Sequence, residues 1–436
     1  MVAASSKSIG KTKNGGGRAA SRRQPSTTPT SSMKAQHQPD HKSNPALHPS
    51  LAAIDQLGPL RDEHSLSHVI RVLLGGQDDN SRPVLTPAPS SREAQSLWPA
   101  GRVKVLTWAE LQEQCADDEF SAIKLGNGVS AVTYPRRWRA APDSEPVAVA
   151  VKVYDLKAAR VTRTLHTFAR EISALAQVHH PHVVNLLACG LDVAAARAFE
   201  VLQLAPLGGL TAMLQRVKPL PLVPGDLSVP CGASTADEQI SLSLRERLHM
   251  LHQIALGMAA VAAEQASIHP CTDSLSACAS AVHPRVPLLH RDLSTDNVLL
   301  CPSADPAWSF HALVADFGQC QPLNDRASVA RGACRRYAPE ALDQKDSSGR
   351  FVYTVACDVF MFGMLCYEVL HGAQTVWKDV PTQIAIEATL AGRRPPILVH
   401  IPERVAALIS ACWAQQPGER PSFTEAARVL NELCHE

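Results

Sequence analysis

Apolar residues recur along this chain with two different periods. The run Val147-Ala148-Val149-Ala150-Val151-Lys152-Val153 is apolar nearly throughout, which predicts a buried strand. Side chains alternate across a strand, so Ala148, Ala150 and Lys152 share one face. Further on, Leu165, Phe168, Ile172 and Leu175 recur at helical spacing and predict an amphipathic helix, with Glu171 toward its core side. The stretch from Val355 to Leu370 is broken only by Asp358 and Glu368; it is too short and too charged to span a bilayer and reads as a buried helix. Order is expected to begin near Val103, with strand-like runs leading to a clear helix and then a mostly helical second half. That succession predicts a small β-rich lobe followed by a larger α-rich one.

Three segments break the pattern. Residues 1–95 are rich in Ser, Thr, Pro, Gly and Gln and poor in aromatics, so they cannot bury enough apolar surface to offset ordering entropy. They are expected to form a disordered tail, with at most a short helical patch around residues 66–74. Residues 217–240 contain Pro219, Pro221, Pro224, Gly225 and Pro230, which exclude a regular helix or central strand. Residues 265–287 are Ser/Ala/His-rich with Pro270, Pro284 and Pro287. Both are expected to be surface insertions, since loops tolerate added length at small entropic cost. No internal repeat is present.

Composition changes this picture in two places. A hydrophobic fraction of 45% in 436 residues is ample for a large core, but the net charge of +1 hides an asymmetry. The first acidic residue is Asp40, and before it stand Lys7, Lys11, Lys13, Arg18, Arg22, Arg23 and Lys34. An organelle transit peptide would need Leu, Phe or Ile for an apolar face, so a solvated basic tail is the reading this stretch supports. The 12 cysteines show no CxxC pair, and reduced thiols in the cytosol or nucleus are expected. No secretory segment or membrane span is expected, nothing points to a nucleic-acid partner, and the sequence carries no signal for an oligomeric state.

The chemistry is concentrated in four motifs. Leu125-Gly126-Asn127-Gly128-Val129-Ser130-Ala131-Val132-Thr133-Tyr134 carries glycines that let backbone N–H groups cradle phosphates, although a structural hairpin turn would look the same. On the strand that follows, small alanines leave room for a flat base and Lys152 can reach phosphate oxygens. A lysine there is costly unless paired or snorkelling at an edge, and Glu171 is the expected partner. The decisive elements are His290-Arg291-Asp292-Leu293-Ser294-Thr295-Asp296-Asn297 and Leu313-Val314-Ala315-Asp316-Phe317-Gly318. Phosphoryl transfer needs metal ligands that neutralise developing charge and a carboxylate that orients the attacking hydroxyl. Magnesium takes few, hard oxygen ligands, which suits one carboxylate and one amide.

These motifs together resemble the eukaryotic protein kinases, from about Phe120 to the C-terminus. The resemblance implies an α+β, bilobal protein-kinase fold over residues 103–436: a small β-rich lobe with one regulatory helix, and a larger α-helical lobe. It implies an ATP- and Mg2+-dependent enzyme that phosphorylates protein substrates; a scaffold that keeps the fold without turnover is the alternative. Residues 125–133 would form the nucleotide loop, Lys152 with Glu171 the phosphate anchor, and Asp292 the catalytic aspartate. Asn297 and Asp316 would hold the metal. Thr133, Ala150 and Leu299 would enclose the adenine, with Gln203, Leu204, Ala205 and Pro206 as hinge and Leu202 as gatekeeper. Glu340 of Ala338-Pro339-Glu340 would pair with Arg420, Asp358 would fix the catalytic loop, and Leu175, Leu186, Phe317 and His290 would stack. His180-Pro181-His182-Val183-Val184, Cys412-Trp413 ahead of Pro417 and Arg420-Pro421, and Ser422-Phe423 resemble the tyrosine-kinase-like group, which favours Ser/Thr over Tyr as acceptor.

The chain departs from the family pattern at Ala131 and Thr133 in the loop, and at Ser294 and Ala333, where Ser/Thr kinases carry an interacting lysine and threonine. Asp296 occupies the place where tyrosine kinases carry an arginine. Ser328, between Arg326 and Arg331, is a candidate activating phosphosite that would pair with Arg291. His269, Cys271, Cys278 and His283 fit no common zinc spacing, and Cys320 and Cys334 are expected to be inert thiols.

Overall fold

The smaller lobe is built on the alternation of a single strand. In a computed structural model, β4 (Val147–Asp155) lies between β3 (Ala131–Trp138) and β6 (Arg197–Gln203), antiparallel to both. With β1 (Lys104–Val105), β2 (Gly126–Asn127) and β5 (Leu186–Asp192) it forms a six-stranded sheet of order β1-β5-β6-β4-β3-β2. Ala150, Tyr154, Ala198 and Leu202 face inward and join the main core. Packed on that core is α2 (Val161–Gln177), which buries Leu165, Phe168, Ile172 and Leu175 at the expected spacing. Val149, Val151, Phe199 and Val201 face outward and form a second core with Leu106, Trp108, Leu111 and Trp138.

The structure describes residues 103–115, 124–128, 130–157, 161–192, 194–217, 241–263, 287–323, 334–343, 353–372, 376–399 and 401–436. The expected tail over residues 1–95, the helical patch at 66–74, the candidate phosphosite Ser328, Ala333 and the His269–Cys271–Cys278–His283 group lie outside them. So do residues 218–240 and 265–286 of the expected insertions, whereas Val217 is buried.

The second core exists because the chain covers its own sheet. Strand β1 adds in parallel to β5, and α1 (Trp108–Gln114) follows it across the outer face. A capping box starts α1: Thr107 Oγ1 accepts from the Glu110 N–H at 3.2 Å, and Glu110 Oε2 accepts from the Thr107 N–H at 2.6 Å. Trp108 meets Phe199 edge-on at 5.5 Å between ring centroids, and the Arg197 guanidinium lies 4.7 Å from the Trp108 ring. The approach is so close that a Cβ on Gly190 would stand 2.1 Å from the Leu106 carbonyl oxygen. Only glycine fits there.

The larger lobe is organised around α6 (Val355–Leu370), apolar on all sides and buried from Cys357 to Leu370. Around it stand α3 (Leu210–Gln215), α5 (Pro339–Asp343), α7 (Thr382–Leu390) and α8 (Glu403–Cys412), and two longer helices, α4 (Leu244–Val261) and α9 (Phe423–His435), start at the serine N-caps Ser243 and Ser422. Short ladders pair β7 (Gly208–Gly209), β9 (Val298–Pro302) and β10 (Phe310–Val314), and pair β8 (Leu288–Leu289) with β11 (Gln321–Pro322). Among the described residues, no helix is long and apolar enough to cross a membrane.

Leu111 is fully buried between α1 and the sheet. Leu111→Ala should therefore lower unfolding free energy by about 2–5 kcal/mol in urea titration, and a loss below about 1 kcal/mol would show that α1 lies outside the cooperative fold.

Candidate active site

The site lies where the sheet, α2 and the β8–β11 segment meet. Lys152 projects from β4 toward α2, and its Nζ stands 2.7 Å from Glu171 Oε1 and 2.6 Å from Oε2. Asp316 Oδ1 lies 3.4 Å away. Burial opposes the lysine's charge, but the carboxylates of Glu171, Asp316 and Glu200 outweigh it and hold the ammonium above its ordinary value. Burial in turn pushes Glu171 up, and Lys152 opposes that rise. Glu171 is 1% exposed, which leaves the pair no alternative partner in water.

The loop that carries His290, Arg291 and Asp292 hangs from α6. Asp358 accepts from the N–H of His290 at 2.7 Å, the N–H of Arg291 at 2.9 Å and the Tyr353 hydroxyl at 2.8 Å. His290 Nε2 contacts the Ala315 carbonyl at 3.1 Å, and its ring lies 4.9 Å from that of Phe317. Leu175, Leu186, His290 and Phe317 are all buried. Arg291 and Asp316 both adopt positive φ, 68° and 59°, in the left-handed region that non-glycine residues rarely occupy.

Asp292 follows this anchor. Burial raises its carboxyl above the usual range, while His290, Asn297 and Arg336 pull the other way. Asn297, in a 3-10 turn over Thr295–Asn297, donates from Nδ2 to the Asp292 carbonyl at 2.6 Å. That leaves its amide oxygen as the atom it can offer a cation. The Asp316 carboxylate is 49% exposed, and Lys152 holds it below the ordinary aspartate value. One amide oxygen and one anionic carboxylate fit a magnesium ion. Among the described residues no cluster of His, Cys, Asp and Glu forms a further metal site.

The glycine-bearing segment is a hairpin: Gly126 pairs with Thr133, and the Gly128 N–H donates to the Ala131 carbonyl at 2.9 Å. Leu125, Gly126 and Gly128 are exposed, Ser130, Val132 and Thr133 half-buried, and Ala131 buried; Val129 lies outside the described residues. Ala150 stands opposite Leu202 across β4 and β6, and both are buried; Leu299, on β9, is half-buried. At the expected hinge the Gln203 N–H is engaged by the Asn185 carbonyl at 2.9 Å, and the Ala205 carbonyl accepts from the Gly208 N–H.

Two ion pairs, one fully and one partly buried, brace the larger lobe. Arg420 Nη1 lies 2.6 Å from Glu340 Oε1 and Nη2 2.9 Å from Oε2, the expected partnership, with side chains 0% and 3% exposed. Arg336 to Glu368 is a pair the sequence reading did not anticipate. Glu368 also accepts from Thr295 at 3.1 Å, which ties the turn carrying Asn297 to α6. The isolated acid within the apolar α6 run was the signal for it. Glu200, fully buried on β6, went unread for the same reason.

This arrangement is the one expected of the protein-kinase class. A model of the protein tyrosine and serine/threonine kinase family matches residues 121–270 and 277–430, and the chain belongs to that family. It is 30% identical over 314 residues to the non-receptor tyrosine-protein kinase TNK1 of Mus musculus, covering 71% of this chain and 39% of that protein. To the serine/threonine-protein kinase TNNI3K of Mus musculus it is 28% identical over 327 residues, covering 74% of this chain and 32% of that protein. Mitogen-activated protein kinase kinase kinase 7 of Bos taurus is 24% identical over 311 residues, 71% of this chain and 42% of that protein. The chain spans less than half the length of each of these relatives. Residues 103–115, which carry β1 and α1, lie outside the matched range.

Breaking the Glu340–Arg420 pair leaves a buried carboxylate without its cation. Arg420→Ala should cost about 3–5 kcal/mol at neutral pH. Burial raises the Glu340 carboxyl but Arg420 holds it, on balance, below its ordinary value. The pair's contribution is therefore present above the ordinary carboxylate range and lost as pH falls through the depressed value, so the gap between wild type and variant should narrow in acid denaturation series.

Proposed function

We propose that the chain is an ATP- and magnesium-dependent protein kinase that transfers the γ-phosphoryl group to a protein hydroxyl, serine or threonine rather than tyrosine. The observation that carries this reading is the convergence of Lys152, Glu171 and Asp316 within hydrogen-bond reach, beside a loop that presents Asp292 and Asn297. In it, Lys152 is fixed by Glu171 and meets phosphate oxygens from the β4 side. Ala150, Leu299 and Thr133 enclose the base, and Gln203 and Ala205 bound it at the hinge. Asp292 orients the acceptor hydroxyl and takes its proton as the new oxygen–phosphorus bond forms and the bond to ADP breaks. Asn297 and Asp316 would hold magnesium, which would supply the charge neutralisation that this transfer requires.

Family membership supports this reading, and the relatives' names include both a tyrosine and a serine/threonine kinase. Preference for Ser/Thr rests on the tyrosine-kinase-like features around His180–Val184 and Arg420–Phe423. A reducing setting, cytosol or nucleus, suits the described cysteines, which are free thiols.

Transfer from labelled ATP to the protein itself and to a generic basic protein, with phosphoamino-acid analysis, tests the proposal. Asp292→Asn should lower the rate by at least about a hundredfold while ATP still binds, as expected for loss of the group that accepts the proton. Lys152→Met should lower both rate and ATP affinity. Wild-type protein that binds ATP yet transfers nothing, even after treatment with a kinase-competent cell extract, would instead support a scaffold, the reading that Ser294 and Ala333 favour. Phosphotyrosine as the sole product would overturn the Ser/Thr assignment.

A further inference from the structure

Behind the Lys152–Glu171 pair lies a chain of oxygens that the transfer reaction does not use. Strand β6 turns Phe199 and Val201 outward and Ala198, Glu200 and Leu202 inward. Glu200 is fully buried, opposite Lys152 in the β4 register. Its Oε1 lies 2.9 Å from the Tyr154 hydroxyl, which itself lies 2.9 Å from Glu171 Oε2. Two oxygen–oxygen contacts at this distance need two protons, and a phenol supplies one.

The second proton has one place to sit. Glu171 takes the Lys152 ammonium on both oxygens and is the charged member of the set, so it accepts. Among the described residues Glu200 Oε2 has no hydrogen-bond partner, which a neutral carboxyl tolerates far better than a buried carboxylate. The groups facing Glu200 are Lys152 and Tyr154 from β4, Cys189 from β5, Glu171 from α2, and Asp316. Lys152 is the cation among them, and Glu171 and Asp316 already engage it. Burial, reinforced by the negative charge of Glu171, pushes the Glu200 carboxyl well above its ordinary value.

We propose that Glu200 is a positioning residue: as a neutral acid it donates to the Tyr154 hydroxyl, which donates to Glu171 and so fixes the carboxylate that aims Lys152. Charged, it would compete with Glu171 for the phenol proton and draw Lys152 away from phosphate. The effect on nucleotide rests on the kinase reading above; the protonation state does not. Because the folded protein holds a proton there that the unfolded chain releases above the ordinary glutamate value, this site opposes folding increasingly as pH rises, until pH passes the raised folded value. Glutamine keeps a neutral donor and removes that dependence.

The test uses the full chain without nucleotide, then with an ATP analogue. Infrared difference spectra between wild type and Glu200→Gln at neutral pH should show a protonated-carboxyl stretch that the variant lacks and that Tyr154→Phe shifts. The Tm of Glu200→Gln relative to wild type should rise progressively between about pH 5 and about pH 8. Tyr154→Phe and Glu200→Ala should each weaken analogue binding by about three- to tenfold, the scale of a lost hydrogen bond to a charged network, and Glu200→Gln should recover most of that loss. Absence of the carboxyl band, a Tm difference that is flat with pH, or Glu200→Gln binding as poorly as Glu200→Ala would overturn the proposal. Failure of wild type to transfer phosphate would overturn the kinase reading alone, and the spectra and melting curves would still decide the state of Glu200.

Discussion

A carboxylate removed from water holds the larger lobe's chemistry in place. Asp358 is 1% exposed and sits in the first turn of a helix that is apolar on every side. Burial raises its carboxyl, and His290, the backbone donors and the Tyr353 hydroxyl counter it. A buried charge is tolerable only when hydrogen-bonded, so the backbone of His290 and Arg291 is required to stay at fixed points on α6. The left-handed conformation of Arg291 accompanies that constraint, and Asp292 follows directly, its carbonyl taking the Asn297 amide. The loop is thereby suspended from the core rather than laid on the surface, which suits groups that need sub-ångström placement.

The smaller lobe answers with an ion pair instead of a single charge. Lys152 belongs to the sheet and Glu171 to α2, so the position of that helix and the aim of the lysine are one variable. Asp316 lies within reach of the same ammonium, so the lysine also senses the segment that begins with Phe317 against His290. Helix, sheet and the Asp316 segment meet at one nitrogen.

Much of this was legible before any coordinates. The period of β4, the apolar stripe of α2 and the continuous run of α6 each force burial of a defined face, and a lysine in the first of these demands an acid on the second. What escaped was of two kinds. Helix α1 spans only 7 residues, too few for a periodic stripe to stand out, although Thr107 and Glu110 are spaced as a capping box. Arg336, Glu368, Tyr154 and Glu200 escaped because their meaning depends on strand register and on contacts across long stretches of sequence. In the run Ala198-Phe199-Glu200-Val201-Leu202 nothing local says that the acid faces a tyrosine. Only the pairing of β4 with β6 does.

The covered sheet has a mechanical corollary. With α1 on its back and α2 on its front, it is the middle layer of a three-layer stack. Phe199 carries the weight of Trp108 on the rear surface, and its chain neighbour Glu200 stands in the polar relay on the front. A strand is a stiff bar, and successive side chains are its two handles. Any partner, lesion or cleavage that loosened the rear layer would tilt that bar, and the tilt would cross a single peptide bond to Glu200 and its contact with Tyr154.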